Sequence, residues 1–261
     1  MYKVNEFLEL LEQFAPLKLS HKMIEKGHYD NSGIIVRHHD YVKSVLFSLD
    51  LSLDAVKKAK DLGCDTVVTH HPAIYNPVKT LDVFGDNGAV ASALSNGLNV
   101  ISMHLNLDVA KGGIDDCLCL GLSGKNIKTI DLVDGECGYG KYADISPVSV
   151  DEFKKIIENK FESQKILAYG NGNVSKIASF CGGGADQALE TIESGSFEVD
   201  TVITSDIPHH VLLPLIEHGK NVFVIPHYVA EQFGFNKFYA NVSERANGKV
   251  DAHYFTDKRF M

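Results

Sequence analysis

The sequence predicts an α/β fold made of two related lobes, approximately 1–134 and 135–261, each with a largely parallel sheet. Short apolar runs rich in β-branched residues alternate with stretches of helical spacing, the pattern imposed by parallel strands joined through crossover helices. One strand–helix–strand unit also occurs twice. D-T-V-V-T at 65–69 is followed by G-L-N-V at 97–100, and D-T-V-I-T at 200–204 by G-K-N-V at 219–222. Each copy leads to a histidine with a carboxylate four positions on: His104 with Asp108, and His227 with Glu231.

Val4, Phe7, Leu8, Leu11 and Phe14 recur at helical spacing, and Pro16 stops that first helix. A loop holding Asp30, Asn31, Ser32 and Gly33 leads to a short strand, I-I-V, and then to a buried strand ending at Asp50. Ser52 has the chemistry of a helix N-cap; Leu53, Val56, Ala59 and Leu62 are expected to face inward, with Gly63 as the stop. The strand at 65–69 ends at His70, His71 and Pro72. A helix from Ala89 to Ser95, a cap at Gly97 and the strand N-V-I-S-M bring the chain to His104, and another helix follows Gly112 and Gly113. The stretch from 127 to 169 is irregular apart from a capping box, Ser149 with Glu152, which opens a helix with Phe153, Ile156, Ile157 and Phe161 on one side.

The second half repeats the plan. K-I-A-S-F-C is a strand, Gly182, Gly183 and Gly184 turn into a helix ending at Ser194, and the strand at 200–204 follows. A helix holding Leu212, Leu215 and Ile216 stops at Gly219, and N-V-F-V-I is the last buried strand before His227. A helix from near Tyr228 and a final strand, V-D-A-H-Y-F, close the chain.

Composition narrows the function classes. At 261 residues, 44% hydrophobic and 23% charged, the chain can bury a full core. No apolar run approaches the roughly 20 residues that span a bilayer. Glutamates interrupt the apolar N-terminal stretch, which argues against a signal peptide. Five cysteines, odd in number and without a C-x-x-C pair, read as reduced thiols, so the expected compartment is cytoplasmic. The balance of 25 basic against 34 acidic residues, a net charge of −9, disfavours a nucleic-acid surface and leaves anionic small molecules open.

In α/β sheets ligands bind beyond the carboxyl ends of strands. His70, His71, His104 and His227 are all expected there. Just past a strand, with Pro72 bending the path, two adjacent imidazoles can reach two neighbouring ions. His227 and Glu231, at i and i+4, share a helix face. The metal reading takes His70, His71, Asp108, His227 and Glu231 as ligands of two divalent ions, with the site between the lobes. Five side chains cannot fill two coordination spheres, so a bridging carboxylate and water or substrate complete them. Imidazole and carboxylate donors without sulfur suit Zn, Fe, Mn or Co. The plain readings are a helix cap for Asp108 and satisfied loop histidines elsewhere. Matching donors in both halves favour the metal.

His104 and His210 are the candidate proton movers, with Asp206 as an orienting partner; brace and surface loop are the alternatives. The glycine run at 182–184 is either a phosphate cradle or a tight strand-to-helix turn.

The motifs Y-D-N-S-G at 29–33, T-H-H-P at 69–72, H-L-N-L-D-V-A-K-G-G at 104–113, C-G-G-G-A-D at 181–186, T-S-D-I-P-H-H at 204–210 and H-Y-V-A-E at 227–231, in this order, resemble the Nif-three-like family of dinuclear-metal proteins, in its short form without a middle domain. The resemblance implies the same five ligands, a toroidal homohexamer, and GTP cyclohydrolase I type 2-like hydrolysis of a C–N bond in a nucleotide-like substrate. A phosphoester hydrolase and a non-enzymatic metal scaffold or metallochaperone are the rivals. Ser205 and Pro226 stand where the family usually has glycine, so the pocket beside the ligands is expected to differ in shape.

Overall fold

The computed structural model describes residues 1–261. In chain order the first elements are β1 (Tyr2–Lys3), α1 (Val4–Glu12), α2 (Leu17–Glu25), β2 (Gly33–Val36), β3 (Tyr41–Val42) and β4 (Ser44–Ser48). Next come α3 (Leu53–Asp61), β5 (Thr66–Thr69), α4 (Gly88–Ser95), β6 (Asn99–Ser102), α5 (Leu105–Val109) and α6 (Ile114–Gly121). They are followed by β7 (Lys125–Asp134), β8 (Cys137–Ser149), α7 (Val150–Phe161), β9 (Leu167–Tyr169), β10 (Asn173–Ser179) and α8 (Ala185–Ser194). The chain ends with β11 (Thr201–Thr204), α9 (His209–Glu217), β12 (Asn221–Val224), α10 (His227–Ala246) and β13 (Asp251–Phe255). No helix is long and apolar enough to cross a membrane.

The chain divides into two compact units, Met1–Ala110 with Phe235–Lys258, and Lys111–Gly234 with Arg259–Met261. These boundaries fall elsewhere than 134/135. The reason lies in strand pairing: β7 pairs with β8, while β13 pairs with β4.

The first unit holds a five-stranded sheet in the order β13-β4-β5-β6-β2. Its first three pairings are parallel and only β2 runs antiparallel. Every residue of β5 and β6 is buried, which is why T-V-V-T and N-V-I-S lack the polar alternation of a one-sided strand. Ser52 caps α3, accepting a bond from the Ala55 amide at 3.1 Å. The inward face of α3 is narrower than its spacing suggested: Ala55, Val56 and Ala59 are buried, while Leu53 is 56% and Leu62 36% exposed, because both lie at the helix ends. Pro16 stops α1 and also stands at the start of α2.

The second unit holds a six-stranded sheet in the order β7-β8-β10-β11-β12-β9. Its three central strands are parallel, and the flanking pairings are antiparallel. The sheet is therefore mixed, and the addition comes from the stretch that looked irregular. There β7 and β8 form a hairpin whose Asp134 and Cys137 pair around Gly135 and Glu136. The two-residue loop begins with Gly135 at φ +60°, the left-handed conformation such a tight hairpin turn needs. The Ser149–Glu152 capping box of α7 is formed in both directions; Ile156 is 39% exposed rather than inward.

The repeated motif fixes the amino ends of the parallel strands in the same way in each unit. In the first, Asp65 Oδ2 accepts the Lys43 and Ser44 amides at 2.9 and 3.4 Å. Asn99 Oδ1 accepts the His38 and His39 amides, and its Nδ2 donates to Thr66. In the second, Asp200 accepts the Ser175 and Lys176 amides. Asn221 Oδ1 accepts the Gly172 amide at 3.1 Å, and its Nδ2 donates to Asn173 O and to Thr201 Oγ1, each at 3.1 Å. Removing the buried Asn221 side chain orphans several polar groups at once. Asn221→Ala is expected to cost about 2–4 kcal/mol, at roughly 1–3 kcal/mol per unsatisfied group, read as a lower urea midpoint at neutral pH.

Candidate metal centre

With the amino ends of the strands clamped, the donors gather past their carboxyl ends. In the first unit the amides of His70 and His71 both donate to Leu49 O, at 3.1 and 3.0 Å, so the chain turns immediately beyond β5. Thr69 Oγ1 donates to His71 O at 2.8 Å and holds the turn. His70 is fully buried. The His70 and His71 rings lie 4.9 Å apart, and His104 lies 5.4 and 5.9 Å from them. Asp108, buried in the short helix α5, has its amide bonded to His104 O at 3.0 Å. His70, His104 and Asp108 offer ligand atoms within 4.8 Å of one another.

Each imidazole is oriented through its Nδ1. His70 Nδ1 donates to Met103 O at 2.9 Å, His71 Nδ1 to Asp50 Oδ1 at 2.6 Å, and His104 Nδ1 to Asp30 Oδ1 at 2.8 Å. A neutral imidazole has one N–H, so these bonds assign the proton to Nδ1 and make Nε2 the donor atom. The His70 Nε2 atom then faces Asp108 Oδ1 at 3.3 Å, two electron-pair donors turned toward each other. A shared cation or a buried imidazolium relieves that arrangement; the first suits a fully buried ring better, since burying a charge is costly. Metal–ligand bonds of about 2.0–2.2 Å place two ligands of one tetrahedral ion at about this separation.

Asp30 lies behind His104. Burial works to raise its pKa, but hydrogen bonds from His104, Ser20 and Ser32 together with the His104 charge hold it below the ordinary carboxylate value. The carboxylate stays ionised and fixes the ring. Ser32 Oγ also accepts the His104 amide at 3.0 Å.

The second unit presents a smaller set. His227 opens α10, and its Nδ1 donates to Asp206 Oδ2 at 2.6 Å while Nε2 lies 3.0 Å from Glu231 Oε2. Both ring nitrogens face carboxylates, and Glu231 is buried. Asp206 follows β11 as His71 follows β5, so the residue two past the repeated strand is a ligand candidate in one unit and the orienting acid in the other. Packing explains two glycines of the run, Gly182 and Gly184. A Cβ on Gly182 would fall 2.7 Å from Glu231 Oε1, and its φ is +57°. A Cβ on Gly184 would meet Tyr139 Oη at 2.4 Å. The loop is held by Asp115 Oδ1, which accepts the Cys181 amide at 3.1 Å, and by the Asp206 amide donating to Gly182 O at 3.2 Å.

Within their own units, His70, His71 and Asp108 are thus brought together with His104, and His227 with Glu231. His210 lies exposed on the first turn of α9. Two acids escaped the sequence reading, Asp50 and Asp30. Each falls just beyond or before a strand, and their signal was position: Asp50 two residues past the end of β4, and Asp30 inside the D-N-S-G motif.

An α/β protein carrying histidine–carboxylate groups at strand ends has residue sets able to bind metal. The chain belongs to the Duf34/NIF3 (NGG1p interacting factor 3) family, whose model matches residues 2–259. A Clostridium perfringens protein named GTP cyclohydrolase 1 type 2 homolog is 28% identical over 256 residues, covering 95% of this chain and 94% of its own. A protein of the same name from Methanocaldococcus jannaschii is 30% identical over 244 residues, covering 90% and 93%. Among solved structures, a Bacillus cereus protein related to NIF3 superposes with a TM-score of 0.85 at 18% identity, over 98% of this chain and 97% of that one. Reduced HcgD from Methanocaldococcus jannaschii gives 0.80 at 27% identity, over 98% of each.

Proposed function

We propose that this protein is a metal-dependent hydrolase of a C–N bond in an anionic, nucleotide-like small molecule. In this reading His70, His71, Asp108, His227 and Glu231 hold two divalent ions, Zn, Fe, Mn or Co. The observation that carries it is the disposition of His70 and His227. Each gives Nδ1 to an oxygen acceptor and turns Nε2 onto a carboxylate, at 3.3 and 3.0 Å. With a neutral ring and no cation, each arrangement would set an imidazole lone pair against a carboxylate, an electrostatic cost that a shared cation removes. A pair of divalent ions supplies Lewis acidity and lowers the pKa of water for attack.

The chain's own residues supply the rest. Asp30 keeps His104 in one tautomer, so its Nε2 is the atom available to take or give a proton at the substrate. Asp50 and Asp206 fix the rings of His71 and His227 through their Nδ1 atoms. The names of the relatives support a purine ring as the target.

The test is to strip the protein of metal, reload it separately with each of the four ions, and measure formate and phosphate release from GTP. Metal-stimulated formate release is the expected result. Phosphate without formate would move the reading to phosphoester hydrolysis, and retained metal with no turnover across a nucleotide panel would move it to a scaffold.

A further inference from the structure

An aromatic corner adjoins the donor group of the first unit, and the bonds that orient the histidines make no use of it. Tyr29 and Tyr75 meet edge to face with ring centroids 4.9 Å apart and planes at 65°. Each is 49% exposed. The Tyr75 ring stands at 84° to that of His104, 6.4 Å away. Neither tyrosine belongs to the hydrophobic cluster under the sheet, which instead takes in Ala73 and Ile74 from the same segment.

Both rings are tied closely to the donor group. Tyr29 directly precedes Asp30, which orients His104. Tyr75 follows Pro72, Ala73 and Ile74 in the segment leaving His71. Asn31 Nδ2 donates to Ile74 O at 2.7 Å and fastens the two segments together. Three consecutive side chains of the 29–33 motif thus serve one place: Tyr29 forms a wall, Asp30 sets His104, and Asn31 anchors the opposite wall.

An edge-to-face pair leaves ring faces open, so a flat π system can stack on one ring while meeting the other's edge. Scattered exposed aromatics need no explanation in a soluble protein. This pair differs in being fixed in place beside the group proposed to move the proton. We propose that Tyr29 and Tyr75 are specificity-determining residues that stack a nucleobase-sized heteroaromatic ring and present its edge to His104. The inference rests on the hydrolase reading above and names the part of the substrate that this face of the site recognises.

The test is calorimetric titration of the metal-loaded protein with GMP, guanosine and ribose 5-phosphate, with metal content measured on the same samples. Wild type is expected to bind GMP and guanosine, and ribose 5-phosphate much more weakly. Tyr75→Ala and Tyr29→Ala are each expected to weaken GMP about tenfold or more, the scale of one lost base–aromatic stack, with metal content unchanged. Tyr75→Trp should retain binding, and Asn31→Ala should lose part of it. Unchanged GMP affinity in both alanine variants overturns the inference, as does a wild type that binds ribose 5-phosphate as tightly as GMP. A metal-loaded wild type that ignores all guanine probes overturns the corner and leaves the metal reading standing. GMP binding through Tyr75 in a protein that retains no metal would do the reverse.

Discussion

Replacing Glu231 with Gln is expected to lower metal affinity by on the order of 100-fold or more, above the range known for changes one shell further out, and to abolish metal-stimulated turnover. The amide keeps the volume and one oxygen but removes a buried negative charge facing His227 Nε2 at 3.0 Å. The effect on stability should separate by metal state. Without metal, wild type buries a carboxylate against an imidazole whose other nitrogen is already bonded to Asp206, so the neutral amide should leave the apo protein at least as stable. With metal, wild type should gain about 2.7 kcal/mol at a free ion concentration 100 times Kd, and the variant should gain almost none. Thermal denaturation with and without the ion, alongside elemental analysis, checks both parts. A variant that keeps its metal and its thermal shift would show that Glu231 is not a ligand.

The second large effect is expected from Gly182→Ala. The new methyl would stand 2.7 Å from Glu231 Oε1, a distance that forces the carboxylate or the loop to move. The residue also sits at φ +57°, where a side chain costs about 1–2 kcal/mol. The loop cannot easily yield, because the Cys181 amide is held by Asp115 and Gly182 O by the Asp206 amide. Displacement should therefore fall on Glu231, and metal affinity should drop at least about tenfold, with a stability loss near the backbone cost alone. The neighbouring Gly183 has open space where a Cβ would go, so Gly183→Ala serves as control and should bind metal like wild type. Equal metal affinity in the two variants would refute the steric account.

The parallel strands were legible because strands buried on both faces carry continuous β-branched runs, and T-V-V-T at 66–69 and T-V-I-T at 201–204 are such runs. The sequence marked those segments as strands without revealing the clamp, because Asp65 and Asn99 act on backbone amides that lie distant in the chain. Helix α2 was hidden by Pro16, read only as a stop although proline also suits a helix start. Leu53, Leu62 and Ile156 satisfied the helical period yet remained exposed, since periodicity marks a face and the packing neighbours decide how wide it is.

At the site, Asp108 and Glu231 stood out as acids four positions after a histidine in each copy, and His70 and His71 as a histidine pair just past a strand. Asp206 was legible as an orienting acid by the matching place past the second copy of that strand. Asp50 and Asp30 were not, because their partners are 21 and 74 residues away in sequence and only the folded sheet brings them together. His210 was named for its place in the second copy, where it lies exposed on the first turn of α9.

The proposed ligands of the metal pair are His70, His71, Asp108, His227 and Glu231. Crystals of metal-loaded protein, with anomalous scattering recorded at the absorption edge of the bound metal, test this ligand set most directly. Two anomalous peaks about 3.5–4 Å apart, ligated by His70, His71, Asp108, His227 and Glu231 together, are the expected result. Peaks ligated without His227 and Glu231, or without His70, His71 and Asp108, at full metal loading would contradict the proposed ligand set.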